Sequence, residues 1–173
     1  MTGLSQHGAV IAFGANLGER AHTIRAAAAE IDALPGTSVI VLSSLVESAA
    51  VKLEGVDPDA PEYLNAVALI ETTLAPHELL AALNAIELSH GRTRHVRWGD
   101  RTLDLDIITY DILEINDERL TLPHPRAAER SFVLAPWLEL DPDAAIPGRG
   151  NADELLAFCA DPVREHIEIG GGS

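Results

Sequence analysis

The run Leu103-Asp104-Leu105-Asp106-Ile107 alternates apolar and acidic residues without a break. A period of two is the signature of a strand and does not fit the apolar stripe of a helix. As a strand, it puts Leu103, Leu105 and Ile107 on one face and Asp104 and Asp106 on the other, with the aspartate Cα atoms roughly 6.5–7 Å apart. The apolar face has to be buried, and the strand is expected to be central in its sheet. Two like charges so close raise each other's pKa unless a cation lies between them. Magnesium resolves such repulsion, because it takes one or two carboxylates and completes its shell with water and substrate phosphates. An Asp-x-Asp pair can also be a merely solvated strand face. The preceding segment favours the metal reading, since four of the twelve basic residues (Arg92, Arg94, Arg97 and Arg101) fall just before the pair. Arginines there would bind phosphates and stabilise charge in transit.

The rest of the chain supplies a frame for this strand. Gly8 to Phe13 reads as a buried strand and Gly14 to Gly18 as a loop. From Glu19 to Leu34, Ala21, Ile24, Ala28 and Ile31 recur at helical spacing, and Pro35-Gly36 stops the helix. Thr37 to Glu47 is β-rich, Lys52 to Glu62 reads as a long exposed loop, and Tyr63 to Thr72 as a further strand. Pro76 opens a second helix whose apolar face is Leu79, Leu80, Leu83 and Ile86, ending near Gly91. Gly91 to Asp100 is a polar loop, and Arg101 to Tyr110 completes the order β-α-β-β-α-β. That order predicts an α+β, ferredoxin-like core: one antiparallel sheet with both helices on one face. A hairpin over Ile112 to Leu122 (turning at Asn116-Asp117), a short helix through Val133 to Leu140 and another at Ala152 to Ala160 follow. The tail 170–173 is expected to be disordered. One domain is expected over 1–173, with its core at about 8–147.

Composition narrows the function. The chain has 173 residues, 47% of them hydrophobic, enough for one core without disulfides or a structural metal. Its net charge of −15 (12 basic against 27 acidic residues) repels a phosphate backbone, so nucleic acid is not an expected partner. No apolar run could span a bilayer, and Met1 to Gly8 lacks the features of a secretory leader. Cys159 is the one cysteine. A reducing, cytoplasmic setting is expected. Lys52 is the single lysine, so eleven of the basic residues are arginines. Arginine suits planar, bidentate phosphate contacts, although codon bias explains the composition equally well.

A second polar cluster is Leu122-Pro123-His124-Pro125-Arg126, followed by Arg130-Ser131-Phe132-Val133-Leu134. His124, between two prolines, is held in an extended turn with little backbone freedom. Its imidazole could touch a phosphate oxygen or a leaving group, or be a solvent-exposed turn histidine. Arg130 could serve the same site or pair with Glu129 or Glu139. The chain has no P-loop signature, and Gly14-Ala15-Asn16-Leu17-Gly18 lacks its lysine. No cysteine and histidine spacing suits zinc.

These residues together resemble the 6-hydroxymethyl-7,8-dihydropterin pyrophosphokinase family. The resemblance runs from about Val10 to about Pro147. It rests on Phe13-Gly14-Ala15-Asn16-Leu17-Gly18, Tyr63-Leu64-Asn65-Ala66, Ile86-Glu87, Gly91-Arg92-Thr93-Arg94, Arg97-Trp98-Gly99-Asp100-Arg101-Thr102-Leu103-Asp104-Leu105-Asp106-Ile107, Leu122-Pro123-His124-Pro125 and Arg130-Ser131-Phe132-Val133-Leu134. It implies a ferredoxin-like fold and a folate-biosynthesis reaction in which ATP gives its β,γ-diphosphate to the pterin hydroxymethyl group and releases AMP. It also implies that Asp104 and Asp106 bind two Mg²⁺ ions and that Arg92 and Arg101 clamp the phosphates. His124 and Arg130 would lie on the ATP side, Trp98 would close over the site, and Glu87 and Ile107 would line the nucleotide. The pterin would meet Ser48, Val51, Tyr63, Asn65 and Phe132, with Asn65 reading the amide edge of the ring and the aromatics flanking it. Small-molecule substrates and a monomeric enzyme are implied.

The sequence departs from the family pattern where Ala49-Ala50 replaces prolines and Gly99-Asp100 replaces a common Gly-Pro. The Val51–Glu62 loop is longer, and the Arg92–Arg101 loop about one residue shorter. The alternatives are another Mg²⁺-dependent transferase, such as a nucleotidyltransferase, and a non-catalytic ferredoxin-like module.

Overall fold

The computed structural model describes residues 5–15, 20–48, 51–52, 55–56, 63–90, 103–159 and 163–165. In chain order these form β1 (His7–Ala15), α1 (Arg20–Asp32), β2 (Thr37–Leu42), β3 (Val46–Ser48), β4 (Val51–Lys52), β5 (Gly55–Val56), β6 (Tyr63–Thr72), α2 (Pro76–Ser89), β7 (Asp104–Tyr110), β8 (Ile115–Asn116), β9 (Thr121–Leu122), α3 (Ser131–Leu140), β10 (Ala145–Ile146), β11 (Gly150–Asn151), α4 (Ala152–Ala157) and β12 (Val163–Glu165). The main sheet has six strands in the order β12-β3-β6-β1-β7, with β2 also paired to β6. Every pairing in it is antiparallel.

Helix boundaries follow local chemistry. Pro76 occupies the first turn of α2, where its missing N–H costs nothing. The Glu78 carboxylate accepts the Ala75 N–H at 2.8 Å, satisfying an orphan donor at the helix start. After α1 the chain reverses through Pro35-Gly36. Gly36 has φ 67°, and a Cβ there would meet the Thr73 hydroxyl at 2.0 Å, so the turn requires glycine.

The sheet is covered on both faces. On one, Ile11, Phe13, Ala66, Ala68, Leu105 and Ile107 pack against Ile24, Ala27 and Ile31 of α1 and Leu79, Leu83 and Ile86 of α2. Both helices therefore share one face, as expected. On the other, Val10, Ala12, Val67 and Ile108 pack under Val133, Leu134 and Trp137 of α3, with Ile146 and Ala152 closing the cluster. Double coverage explains why β6 is buried almost continuously from Leu64 to Ala68 rather than in alternation.

The structure corrects several expectations. Among the described residues the aspartate strand is not central: β7 is the last strand in the order, and β1 and β6 occupy the middle. Thr37 to Glu47 divides into two strands, with a register shift at Val39/Val41 that leaves Ile40 unpaired and 56% exposed. Within the expected Lys52–Glu62 loop, β4 and β5 form a short ladder, Val51 opposite Val56 and Lys52 opposite Gly55. The first helix ends at Asp32 rather than Leu34, and the last ends at Ala157. The strand expected from Arg101 begins at Asp104. The hairpin forms, but its turn spans Asp117 to Leu120, with the Asp117 carboxylate accepting the Arg119 and Leu120 N–H groups at 2.8 and 2.9 Å. The polar loop after Gly91 and the tail 170–173 lie outside the described residues.

Candidate active site

The expected alternation of β7 holds where it matters. Leu103, Leu105 and Ile107 belong to the core beneath α1 and α2, and Asp104 and Asp106 are half-exposed on the opposite face. Ile108 is an extra residue in β7 opposite the Val10–Ile11 step, and this bulge resets the parity of the strand beyond it. The aspartates precede the bulge and keep their common face.

Opposite them stand residues with almost no side chain. Asp104 pairs with Gly14 and Asp106 with Ala12. Gly14 pairs in turn with Asn65, and Asn65 with Val46. Directly opposed residues in an antiparallel sheet project to the same face. Asp104, Gly14 and Asn65 thus form one cross-strand row, its ends about 10 Å apart at the usual strand spacing. Asn65 is 4% exposed. In the next row along, Ser48 pairs with Tyr63. Backbone pairing thus brings Ser48 and Tyr63 next to Asn65, while Val51 pairs with Val56 in the adjoining short ladder.

The β9–α3 connection closes one side. The His124 N–H donates to the Ile108 carbonyl at 2.9 Å, fixing the turn against β7. The His124 Nε2 lies 3.8 Å from Oδ1 of Asp106, and Nδ1 accepts the Arg126 N–H at 3.2 Å. Burial pushes the imidazole below its usual pKa; Asp106 opposes this, and Arg130 and Arg126 add to it. Arg130 stands at the N-cap position of α3 and lays its guanidinium over the Phe132 ring, 5.5 Å from the centroid. Glu139, one expected partner of Arg130, instead accepts from the Ser44 N–H and hydroxyl. Beside His124 opens a cavity of about 350 Å³ lined by Asn116, Thr121, Leu122, Pro125 and Arg149 among others.

The structure therefore gathers Asp104, Asp106, Asn65, His124, Arg130 and Phe132 around one face of the sheet and the start of α3. Glu87 and Ile107 are placed elsewhere: both are buried on the α1/α2 side. Arg92, Trp98 and Arg101 lie outside the described residues. Sequence reasoning put Arg126 in the Pro-His-Pro cluster without a role and missed the cavity residues Thr121 and Arg149. Arg149 is brought in only by tertiary packing.

The chain matches the family model described as 7,8-dihydro-6-hydroxymethylpterin-pyrophosphokinase over residues 10–142. It is 42% identical over 153 residues to the 2-amino-4-hydroxy-6-hydroxymethyldihydropteridine pyrophosphokinase of Pseudomonas aeruginosa, covering 86% of this chain and 90% of that one. The enzyme of the same name from Bacillus subtilis is 43% identical over 132 residues, covering 76% and 77%. Among solved structures, wild-type Plasmodium falciparum HPPK-DHPS with pteroate superposes with a TM-score of 0.67 at 13% identity. That alignment covers 91% of this chain and 43% of the longer one, and shows a common fold.

Proposed function

Because the chain belongs to the 7,8-dihydro-6-hydroxymethylpterin-pyrophosphokinase family, we propose that it transfers the β,γ-diphosphate of ATP to the hydroxymethyl group of 6-hydroxymethyl-7,8-dihydropterin, releasing AMP, in folate biosynthesis. The observation that carries this reading is the shared face of Asp104, Asp106 and Asn65, with only Gly14 between the acidic and amide ends of the row.

The donor set fits magnesium. Among the described residues no group of three or more His, Cys, Asp or Glu side chains gathers around one point, which disfavours an all-protein metal cage. Two half-exposed carboxylates facing small residues leave room for water and phosphate oxygens, the shell Mg²⁺ prefers. Two ions held at Asp104 and Asp106 would supply charge neutralisation and alignment of the triphosphate.

The chain's own residues then divide the work. Arg92 and Arg101 clamp the phosphates, and Trp98 closes over them. His124, in the β9–α3 connection, and Arg130, at the start of α3, meet phosphate oxygens from the other side; the helix N-terminus adds partial positive charge beside Arg130. The nucleotide extends toward the cavity beside His124. Ile107 contributes through its backbone: two residues beyond Leu105, its polar groups point off the same outer edge of β7. Glu87 approaches that edge from α2. Across the row, Asn65 reads the amide edge of the pterin through an acceptor and two donors. Phe132 and Tyr63 flank the ring, with Ser48 and Val51 completing the pocket. Phosphoryl transfer asks for positioning and charge stabilisation rather than a covalent nucleophile, and this set offers both.

The antiparallel order β2/β3-β6-β1-β7 supports reading the core as ferredoxin-like βαββαβ. Among the described residues no helix is long and apolar enough to cross a membrane. A cytoplasmic monomer acting on small molecules is the setting we propose. The test is to supply MgATP and the pterin alcohol and identify the nucleotide released. AMP is expected. Inorganic pyrophosphate would point to nucleotidyl transfer, and no product at all to a binding module.

A further inference from the structure

Glu87 lies on the last turn of α2, on the face that carries Leu79, Leu83 and Ile86, and is 4% exposed. A carboxylate so buried is costly unless it is hydrogen-bonded. Its Oε2 accepts the backbone N–H of Leu105 at 2.7 Å. Leu105 stands between Asp104 and Asp106, and the N–H that Glu87 takes belongs to the peptide joining Asp104 to Leu105.

That peptide is exposed to error. Among the described residues β7 stands at the end of the sheet and pairs with one strand, β1. The ladder with β1 sets Asp104 opposite Gly14 and Asp106 opposite Ala12. It does not fix the groups that point off the outer edge. Glu87 adds a restraint from the α2 side at the peptide whose rotation would swing one aspartate relative to the other.

The restraint has a firm base. At the end of α2, the His90 N–H donates to the Glu87 carbonyl at 3.1 Å, and the His90 Nε2 bonds a Glu30 carboxylate oxygen on α1. The Ser89 hydroxyl reaches the other Glu30 oxygen at 3.3 Å. The helix end is thus tied to α1 as well as to β7, so Glu87 bonds from a fixed platform.

We propose that Glu87 is a positioning residue for the aspartate pair: by holding the Asp104–Leu105 peptide it keeps both carboxylates at the spacing and direction that metal binding needs. This rests on the reading of Asp104 and Asp106 as the magnesium pair. Outer partners of metal ligands typically govern metal affinity by about 10–100-fold.

The test compares Glu87→Met, which fills the same volume without an acceptor, with Glu87→Gln, which keeps one, and with Asp106→Asn as the control. Mn²⁺ binding is followed by electron paramagnetic resonance in the presence of a non-hydrolysable ATP analogue, and Leu105 amide exchange by NMR in the metal-free protein. Expected for Glu87→Met are faster Leu105 exchange, Mn²⁺ binding weakened about 10–100-fold and an unchanged KM for the pterin. Glu87→Gln should restore Mn²⁺ affinity to within about threefold, since its amide oxygen still accepts. If Glu87→Met lowers only the melting temperature and binds Mn²⁺ like the native protein, while Asp106→Asn does not bind it, the positioning role is overturned and the metal pair stands. If Asp106→Asn binds Mn²⁺ normally, the metal reading itself falls, and this proposal with it.

Discussion

The Nε2 atom of His124 stands 3.8 Å from a carboxylate oxygen of Asp106. That is too long for a direct hydrogen bond, so the two groups influence each other mainly through charge.

His124 is pulled in opposite directions. Burial, with Arg130 and Arg126, disfavours the imidazolium, and Asp106 favours it; the net direction is down. In the metal-free protein the imidazole should titrate below the ordinary value of about 6.5 and be neutral at pH 7. The unfolded chain then binds this proton more readily than the folded one. Its contribution to stability is complete above about pH 6.5 and is lost as pH falls through the folded midpoint. NMR titration of the His124 ring gives the midpoint, and His124→Gln should flatten that part of the stability profile. A midpoint above 6.5 would mean that Asp106 dominates.

Replacing Asp104 or Asp106 by Asn should cut AMP release by roughly 10²–10³-fold or more, the scale for losing one preorganised charge-stabilising group. Neither carboxylate is buried, and removing one relieves like-charge repulsion. Melting temperature should therefore hold or rise. Turnover assays and thermal melts on the same preparations check both halves, and native turnover in the double variant would remove the pair from the chemistry.

The aspartate pair was legible because its signal is local. A period of two survives any tertiary arrangement, so Asp104 and Asp106 share a face wherever β7 lies. Its place at the sheet edge was not legible, because strand order is set by long-range pairing. The bulges at Ile40 and Ile108 were equally hidden: each is one extra residue in an otherwise ordinary apolar run. Glu87 had left a trace. It falls four residues after Leu83 and eight after Leu79, at a core-facing position where an acid is out of place. His124 was readable as a constrained turn residue from its flanking prolines, whereas its approach to Asp106 depends on the His124 N–H reaching the Ile108 carbonyl.

Asn65→Ala should separate the two substrates. Loss of a buried hydrogen-bonding amide costs about 1–3 kcal/mol where its partner is left unpaired, which is roughly 5- to 150-fold in affinity. The loss should appear in the KM for the pterin, with the KM for ATP unchanged within about twofold. Steady-state kinetics varying each substrate in turn decides this. Equal effects on both would take Asn65 out of pterin recognition.

Asp117 offers a test away from the site. Backbone N–H groups of Arg119 and Leu120 hold its carboxyl below the usual aspartate range, with His77 adding to the effect at 2.8 Å. Because the folded pKa is depressed, this stabilisation is present above about pH 3.9 and is lost as pH falls through the folded value. Asp117→Ala should therefore make the urea midpoint less sensitive to pH in the acid range, leaving activity at neutral pH unchanged. An acid profile identical to that of the native protein would show that the turn's hydrogen bonds do not distinguish folded from unfolded protonation.

Gly14 separates the acidic end of the site row from its amide end, paired to Asp104 on one side and Asn65 on the other. Its place is within a strand laddered on both sides, where glycine costs about 0.5–1 kcal/mol relative to alanine because it has more freedom to lose. The sequence accepts that cost at the one position where a side chain would project between the carboxylates and the amide. The cost therefore reads as room kept for substrate. Gly14→Ala should leave the melting temperature equal or higher while lowering turnover, and Gly14→Val should abolish turnover without unfolding the protein. Paired melts and AMP-release assays on both variants distinguish this from a folding requirement: if activity falls only in step with stability, the glycine serves the strand and not the substrate.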